Sequence, residues 1–155
     1  MNSPIDPTPT EPTPAGRAVI AEAMTWLGTP YRHQGSRNGV GCDCLGLVRG
    51  VWRAVYGAEP EQAGPYSPDW AEAGAGDPLI EAARRHCAEK PPGEALPGDL
   101  LVFRWRPQHA AKHLGILLSG ESFLHAYEGH AVTISPLIAQ WRRKIAGVFA
   151  FPGVE

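Results

Sequence analysis

The sequence carries no large excess of charge of either sign: 14 Lys and Arg stand against 16 Asp and Glu, a formal net charge of -2. That near-balance argues against a nucleic-acid binder, which ordinarily shows a basic excess. No apolar run approaches the roughly 18 residues that a bilayer-crossing helix needs, so no membrane partner is expected. The opening residues, Met1-Asn2-Ser3-Pro4-Ile5-Asp6-Pro7, show neither a basic stretch nor an apolar one, so no secretory signal is expected and synthesis in the cytoplasm is. Cysteine is scarce, and its three copies, Cys42, Cys44 and Cys87, are an odd number that excludes a fully paired disulfide framework. What the chain has in quantity is glycine, 18 residues, and proline, 16, which predict short elements separated by many turns. A length of 155 residues suits one domain with a core of its own.

Residues 1–15 hold Pro4, Pro7, Pro9, Pro12 and Pro14 among threonines and almost nothing apolar to bury, which predicts a disordered leader. The folded domain is expected over 16–155. Val19, Ile20, Ala23, Met24 and Leu27 recur at helical spacing and end at Gly28-Thr29-Pro30. After a turn-rich stretch from Tyr31 to Gly41, the residues Cys44, Leu47, Val48, Val51, Trp52 and Val55 form one apolar helical face. Asp43 can cap the start of that helix and Gly57 its end. Residues 57–77 read as a loop anchored by Tyr66 and Trp70, and Asp77-Pro78 opens a helix running to about Lys90. Five β-like runs follow: Leu100–Arg104, Leu114–Leu118, Ser122–Tyr127, Ala131–Ile134 and Gly147–Phe151, with a short helix between Pro136 and Lys144. Helices first and strands after is the order of an α+β domain, with helices packed on an antiparallel sheet.

A thiol nucleophile needs a lowered pKa, a base within reach and a group that orients the base. Cys44 lies in the first turn of the expected helix, where free backbone N–H groups and the helix dipole favour a thiolate. His113 stands at the mouth of one expected strand and His125 inside the next, and two antiparallel strands joined by a tight turn can bring them together. A histidine within an apolar strand is costly unless partnered, so His125 calls for His113. Cysteine on a helix, histidine on a strand and a second strand residue orienting it make a papain-type set.

Gly41-Cys42-Asp43-Cys44-Leu45-Gly46-Leu47-Val48, Leu96-Pro97-Gly98-Asp99-Leu100-Leu101-Val102-Phe103, His113-Leu114-Gly115-Ile116-Leu117 and Phe123-Leu124-His125-Ala126, with Gly28-Thr29-Pro30-Tyr31 upstream, resemble the NlpC family of bacterial cell-wall endopeptidases in order and spacing. The resemblance spans residues 17–151 and implies a papain-like fold. It implies Cys44 as nucleophile, His113 as general base, His125 as the residue holding the imidazole, Tyr31 as an oxyanion donor and Asp43 as the acid before the nucleophile. It implies cleavage of peptidoglycan stem peptides, commonly at the γ-linkage of D-glutamate to a diamino acid, without metal or cofactor. The sequence is similar to the small peptidases encoded among tail genes of phages and gene transfer agents, which implies phage-like tail proteins as partners and incorporation into a particle. Leu45 stands where the family usually has Ser or Ala, and Tyr31-Arg32-His33 lacks an aromatic that often follows the tyrosine.

Cys42 is a rival nucleophile without the helix start, and Cys87 reads as a core residue. Cys42-x-Cys44 with His109 and His113 has too short a cysteine spacing for a structural zinc pair. Arg104, Arg106 and Lys112 would suit an anionic peptide, whereas Arg142-Arg143-Lys144 reads as a solvated face. An amidase or acyltransferase on the same scaffold, and a catalytically idle tail-assembly or wall-binding module, are the alternatives.

Overall fold

The computed structural model describes residues 11–61 and 76–154. Most of the leader, and the expected anchors Tyr66 and Trp70, lie outside them. The first helix, α1, spans Pro14–Met24, and the Thr13 hydroxyl caps it by accepting the Gly16 N–H at 3.0 Å. Helix α1 takes in Pro14 and Ala15, because Pro14 suits a first helical turn and Ala15 is buried.

Two short strands follow, β1 (Ser36–Arg37) and β2 (Gly41–Cys42), paired antiparallel. They lead into α2, Cys44–Tyr56, which has the expected caps: Asp43 accepts the Gly46 N–H at 2.7 Å, and Gly57 closes the helix at φ 91°. Helix α3 covers Pro78–His86 and stops short of the expected end near Lys90. Cys87 turns extended, and Ala88–Lys90 becomes strand β3, because the edge of a later strand offers it backbone partners. Asp77 does not cap α3 with its side chain; its carboxylate instead accepts the Ala111 N–H at 3.0 Å and pairs with Arg104 at 2.8 Å.

The remaining strands are β4 (Leu100–Phe103), β5 (His113–Ser119), β6 (Ser122–Ala126), β7 (Val132–Pro136) and β8 (Ile145–Ala150), with α4 (Ala139–Arg142) before the last. They form one antiparallel sheet in the order β3-β8-β4-β5-β6-β7. Alternate residues serve two layers, as the period of a strand requires. Leu100, Val102, Leu114, Ile116, Leu124 and Ala126 pack with Val19, Leu47 and Val51 of the helices. Leu101, Phe103, Leu117 and Phe123 pack with Leu137 and Trp141 on the other face. The result is the α+β, papain-like layout expected from the sequence.

Two glycines fix how closely the pieces approach. A Cβ on Gly98, at φ 92°, would lie 2.3 Å from the Gly16 Cα, so the Pro97-Gly98-Asp99 turn can press directly on α1. A Cβ on Gly46 would sit 1.6 Å from the Gly35 carbonyl oxygen, so only glycine lets the loop before β1 close over the start of α2.

Candidate active site

The turn that leads into α2 and Cys44 is built from the backbone up. Gly28 donates to the Val132 carbonyl and Val132 to the Thr29 carbonyl, which ties the end of the first helical segment to β7. Cys42 donates to the Pro30 carbonyl at 3.0 Å and its own carbonyl accepts the Arg32 N–H at 3.0 Å. Tyr31 is thereby strapped beside Cys42, two residues from the start of α2. Asp43 is buried; one carboxylate oxygen caps α2 and the other accepts the Gln34 N–H at 2.8 Å, with His33 3.9 Å away. These bonds assign Asp43 to the architecture of the turn, where it holds the loop and the helix in one piece.

Cys44 is the first residue of α2 and is half-buried. Its Sγ lies 3.8 Å from the Lys112 carbonyl and against the backbone N–H of Leu114, so the sulfur contacts the chain on both sides of His113. Burial pushes the thiol up to about 12, and the Asp43 carboxylate adds to that, while the N–H groups of Leu114, Leu45 and Cys44 pull it down. Burial thus opposes the thiolate that the helix start and its N–H groups favour. A thiol whose ionisation is opposed by burial needs a base to act as a nucleophile.

His113, the base that the resemblance implies, is held by a line of hydrogen bonds. His113 Nε2 and His125 Nδ1 are 2.7 Å apart, and His125 Nε2 lies 2.8 Å from the Ser135 hydroxyl. For His113 to accept a proton at Nδ1, its Nε2–H must donate to His125 Nδ1, and His125 Nε2–H must then donate to Ser135 Oγ. The Ser135 hydroxyl can accept that proton, so it supports this tautomer of His125 and, through it, that of His113. Sequence reading finds the two histidines but not Ser135, which stands on β7 diagonally across from His125 in a register that pairs His125 with Thr133. Burial, and then the neighbouring His125, push His113 well below 6.5; burial, and then His130, push His125 down to about 4.

Aromatic side chains complete the wall, also unforeseen from the sequence. The Trp105 ring stacks on His113 at 5.3 Å and 24°, and Trp141 approaches both histidines at 5.9 and 5.3 Å. These rings shield the imidazoles from water, which keeps them neutral and strengthens their hydrogen bonds. The Tyr31 hydroxyl is near enough to feel the Cys44 sulfur; burial, and then that sulfur, hold its pKa above the ordinary value, so it stays a donor. Cys42 is fully buried and Cys87 is half-buried at the end of α3. His109 and His130 are exposed, the latter stacked on Tyr127. Among the described residues no three His, Cys, Asp or Glu side chains cluster to hold a metal.

The depressed histidines set a pH dependence. A histidine base works only when neutral, so with His113 in that role the acid limb of kcat/KM is expected below pH 6.5. Stability follows the same groups. Unfolded histidines bind protons near 6.5 and the folded pair does not, so stability is full above that pH. It is lost as pH falls toward about 4, where His125 protonates in the fold. A pH–rate profile with urea midpoints at matched pH checks both, and an acid limb centred above 6.5 contradicts the burial account.

Comparison with known proteins agrees with this geometry. The model of the NlpC/P60 family matches residues 28–149. Gamma-DL-glutamyl hydrolase of Bacillus subtilis is 29% identical over 143 residues, covering 91% of this chain and 30% of that protein. Gamma-D-glutamyl-L-lysine dipeptidyl-peptidase, also of Bacillus subtilis, is 30% identical over 109 residues, covering 70% of this chain and 31% of that protein. The chain thus spans about a third of the length of these two relatives. The solved NlpC/p60 domain of the peptidoglycan hydrolase SagA is 29% identical, with a TM-score of 0.58, and the match covers 89% of this chain and 98% of that one. With a family match over most of the described fold and a helix-borne cysteine set against a strand-borne histidine pair, the chain belongs to the NlpC/P60 family.

Proposed function

We propose that the chain is a cysteine peptidase that cleaves peptidoglycan stem peptides at the amide formed by the γ-carboxyl of D-glutamate. The observation that carries this reading is the seat of Cys44 Sγ between the Lys112 carbonyl and the Leu114 N–H, astride the histidine whose Nε2 is held by His125. Members of the NlpC/P60 family are cysteine peptidases acting on peptidoglycan, and two relatives are named for γ-glutamyl bonds.

His113 Nδ1 takes the Cys44 proton as the sulfur attacks the amide carbonyl. The oxyanion is met by the Cys44 backbone N–H and the Tyr31 hydroxyl. The carbon–nitrogen bond breaks, His113 returns the proton to the leaving amine, and a thioester remains on Cys44. Water, deprotonated by His113, then attacks the thioester and releases the acid, while the proton passes back to sulfur. The proton that leaves on the amine is replaced by one from water, so Cys44 and His113 end the cycle as they began it.

Digestion of purified peptidoglycan, with mass analysis of the products, tests the reading. Fragments ending in a free D-glutamyl γ-carboxyl, each matched by a new amino terminus on the diamino acid, are the expected result. Products extended by an added amine, with no net hydrolysis, would make the chain an acyltransferase. Release of no fragment while the Cys44 thiol remains reactive would make it an idle wall-binding module. Delivery by a phage-like tail rests on the motif resemblance; it requires the protein to co-purify with assembled particles, and its confinement to the producing cell's cytoplasm contradicts it.

A further inference from the structure

Gly46, Arg49 and Arg53 recur along α2 at the spacing of one helical face. The segment that ends in β1 lies on that face. Ser36 donates its hydroxyl to the Gly46 carbonyl at 2.6 Å, and Arg53 donates to Ser36 twice, to the hydroxyl oxygen at 2.9 Å and to the carbonyl. The same guanidinium donates to Glu59 at 3.2 Å, and Arg49 holds the other oxygen of that carboxylate. Burial pushes the Glu59 carboxyl up, but the hydrogen bonds and charges of Arg49 and Arg53 outweigh it and hold the group below its ordinary value. Glu59 is therefore a carboxylate at neutral pH, and it fixes the plane of the Arg53 fork.

Ser36 is one end of a segment whose other end is Tyr31. Within it the Arg32 N–H donates to the Cys42 carbonyl at 3.0 Å, the Gly35 N–H to the Arg32 carbonyl at 2.9 Å, and the Asp43 N–H to the Gly35 carbonyl at 3.2 Å. Gln34 stands among them at φ 64°, a left-handed conformation that a residue with a side chain adopts only where its surroundings hold it. Strands β1 and β2 are two residues each and supply little ladder for that purpose. Arg53 stands about 14 Å from Cys44 along the helix axis, beyond the reach of the reacting atoms. Partly exposed ion pairs of this kind add little stability, whereas a guanidinium fork on two oxygens of one residue fixes geometry. We propose that Arg53, oriented by Glu59, is a positioning residue for Tyr31: it clamps residues 31–36 to α2 and so sets where the Tyr31 hydroxyl meets the oxyanion. The assignment rests on the peptidase reading above and deepens it by naming what places the oxyanion donor.

Kinetics on L-alanyl-γ-D-glutamyl-L-lysine test this. Arg53→Gln should lower kcat by about tenfold, with KM within about twofold and the urea midpoint little changed. In the Tyr31→Phe background the same substitution should cost less than about twofold, because the hydroxyl it positions is gone. An unchanged kcat in Arg53→Gln, or an equal loss in both backgrounds, overturns the assignment. Should Arg53→Gln fail to fold, Ser36→Ala removes one of the two oxygens that Arg53 grips, and the same comparison with and without Tyr31→Phe decides. Amide hydrogen exchange separates the clamp from the peptidase reading. In Arg53→Gln the amides of Arg32, Gly35 and Asp43 should exchange at least about tenfold faster, while those of β4 and β5 keep their rates. That result upholds the clamp on the Tyr31 segment even if the unaltered protein does not cleave the peptide, and unchanged exchange at the three amides overturns it.

Discussion

Replacing Cys44 by alanine is expected to remove hydrolysis altogether while leaving the protein folded. Alanine is favourable in a first helical turn, and Asp43 still caps the helix from outside the substituted position. The half-buried sulfur contributes modest packing, so stability should change by no more than about 1 kcal/mol. Cys42→Ser should show the reverse pattern. That side chain is fully buried, so a hydroxyl there costs about 1–3 kcal/mol, yet the backbone bonds that hold Tyr31 beside it survive and turnover persists. Cys87→Ser, at the end of α3 and far along the chain from the turn, should keep turnover as well. Rates and urea midpoints on the three single variants decide the matter. Loss of activity in a folded Cys42→Ser protein, with activity kept in Cys44→Ala, would move the nucleophile to Cys42.

A graded loss is expected along the line from His113 to Ser135. His113→Ala removes the proton carrier and should lower kcat by several orders of magnitude. His125→Asn can still accept from His113 Nε2–H through its side-chain oxygen, so it should keep part of the rate, whereas His125→Ala leaves that buried N–H without a partner and should lose more. Ser135→Ala removes the acceptor of His125 Nε2–H and should lower kcat by about tenfold, with a shifted acid limb as the mark of a disturbed tautomer. Because Ser135 acts through His125, the same substitution should have little further effect in the His125→Asn background. Equal and total loss in His125→Asn and His113→Ala, with both proteins folded, would mean that His125 takes part in proton transfer itself.

Much of this was legible from particular residues. The apolar stripe from Cys44 to Val55, bracketed by Asp43 and Gly57, defines α2 with both caps, because caps are local and a helix buries one face at a fixed period. The pairing of His113 with His125 was legible because a lone histidine in an apolar strand needs a partner and the next strand supplies one. What escaped depends on distance in the chain. Ala88–Lys90 pairs with Val148–Ala150, and no local signal in Ala-Glu-Lys announces an edge strand. Ser135 meets His125 only through the β6–β7 register, and Trp105 meets His113 only because the chain after β4 turns back over β5. The thiol's pKa escaped for a further reason. The helix start is visible in the sequence and favours a thiolate, but the burial that opposes it belongs to the assembled fold.

The account is tested most directly by catching the covalent intermediate. The protein is mixed with L-alanyl-γ-D-glutamyl-L-lysine, quenched in acid within one turnover and digested for peptide mass mapping. An alanyl-glutamyl group on the peptide that contains Cys44, sensitive to hydroxylamine as a thioester must be, and absent from Cys44→Ala, is the predicted result. The same group on Cys42 or Cys87, or hydrolysis at full rate by Cys44→Ala with no adduct at any cysteine, would contradict it.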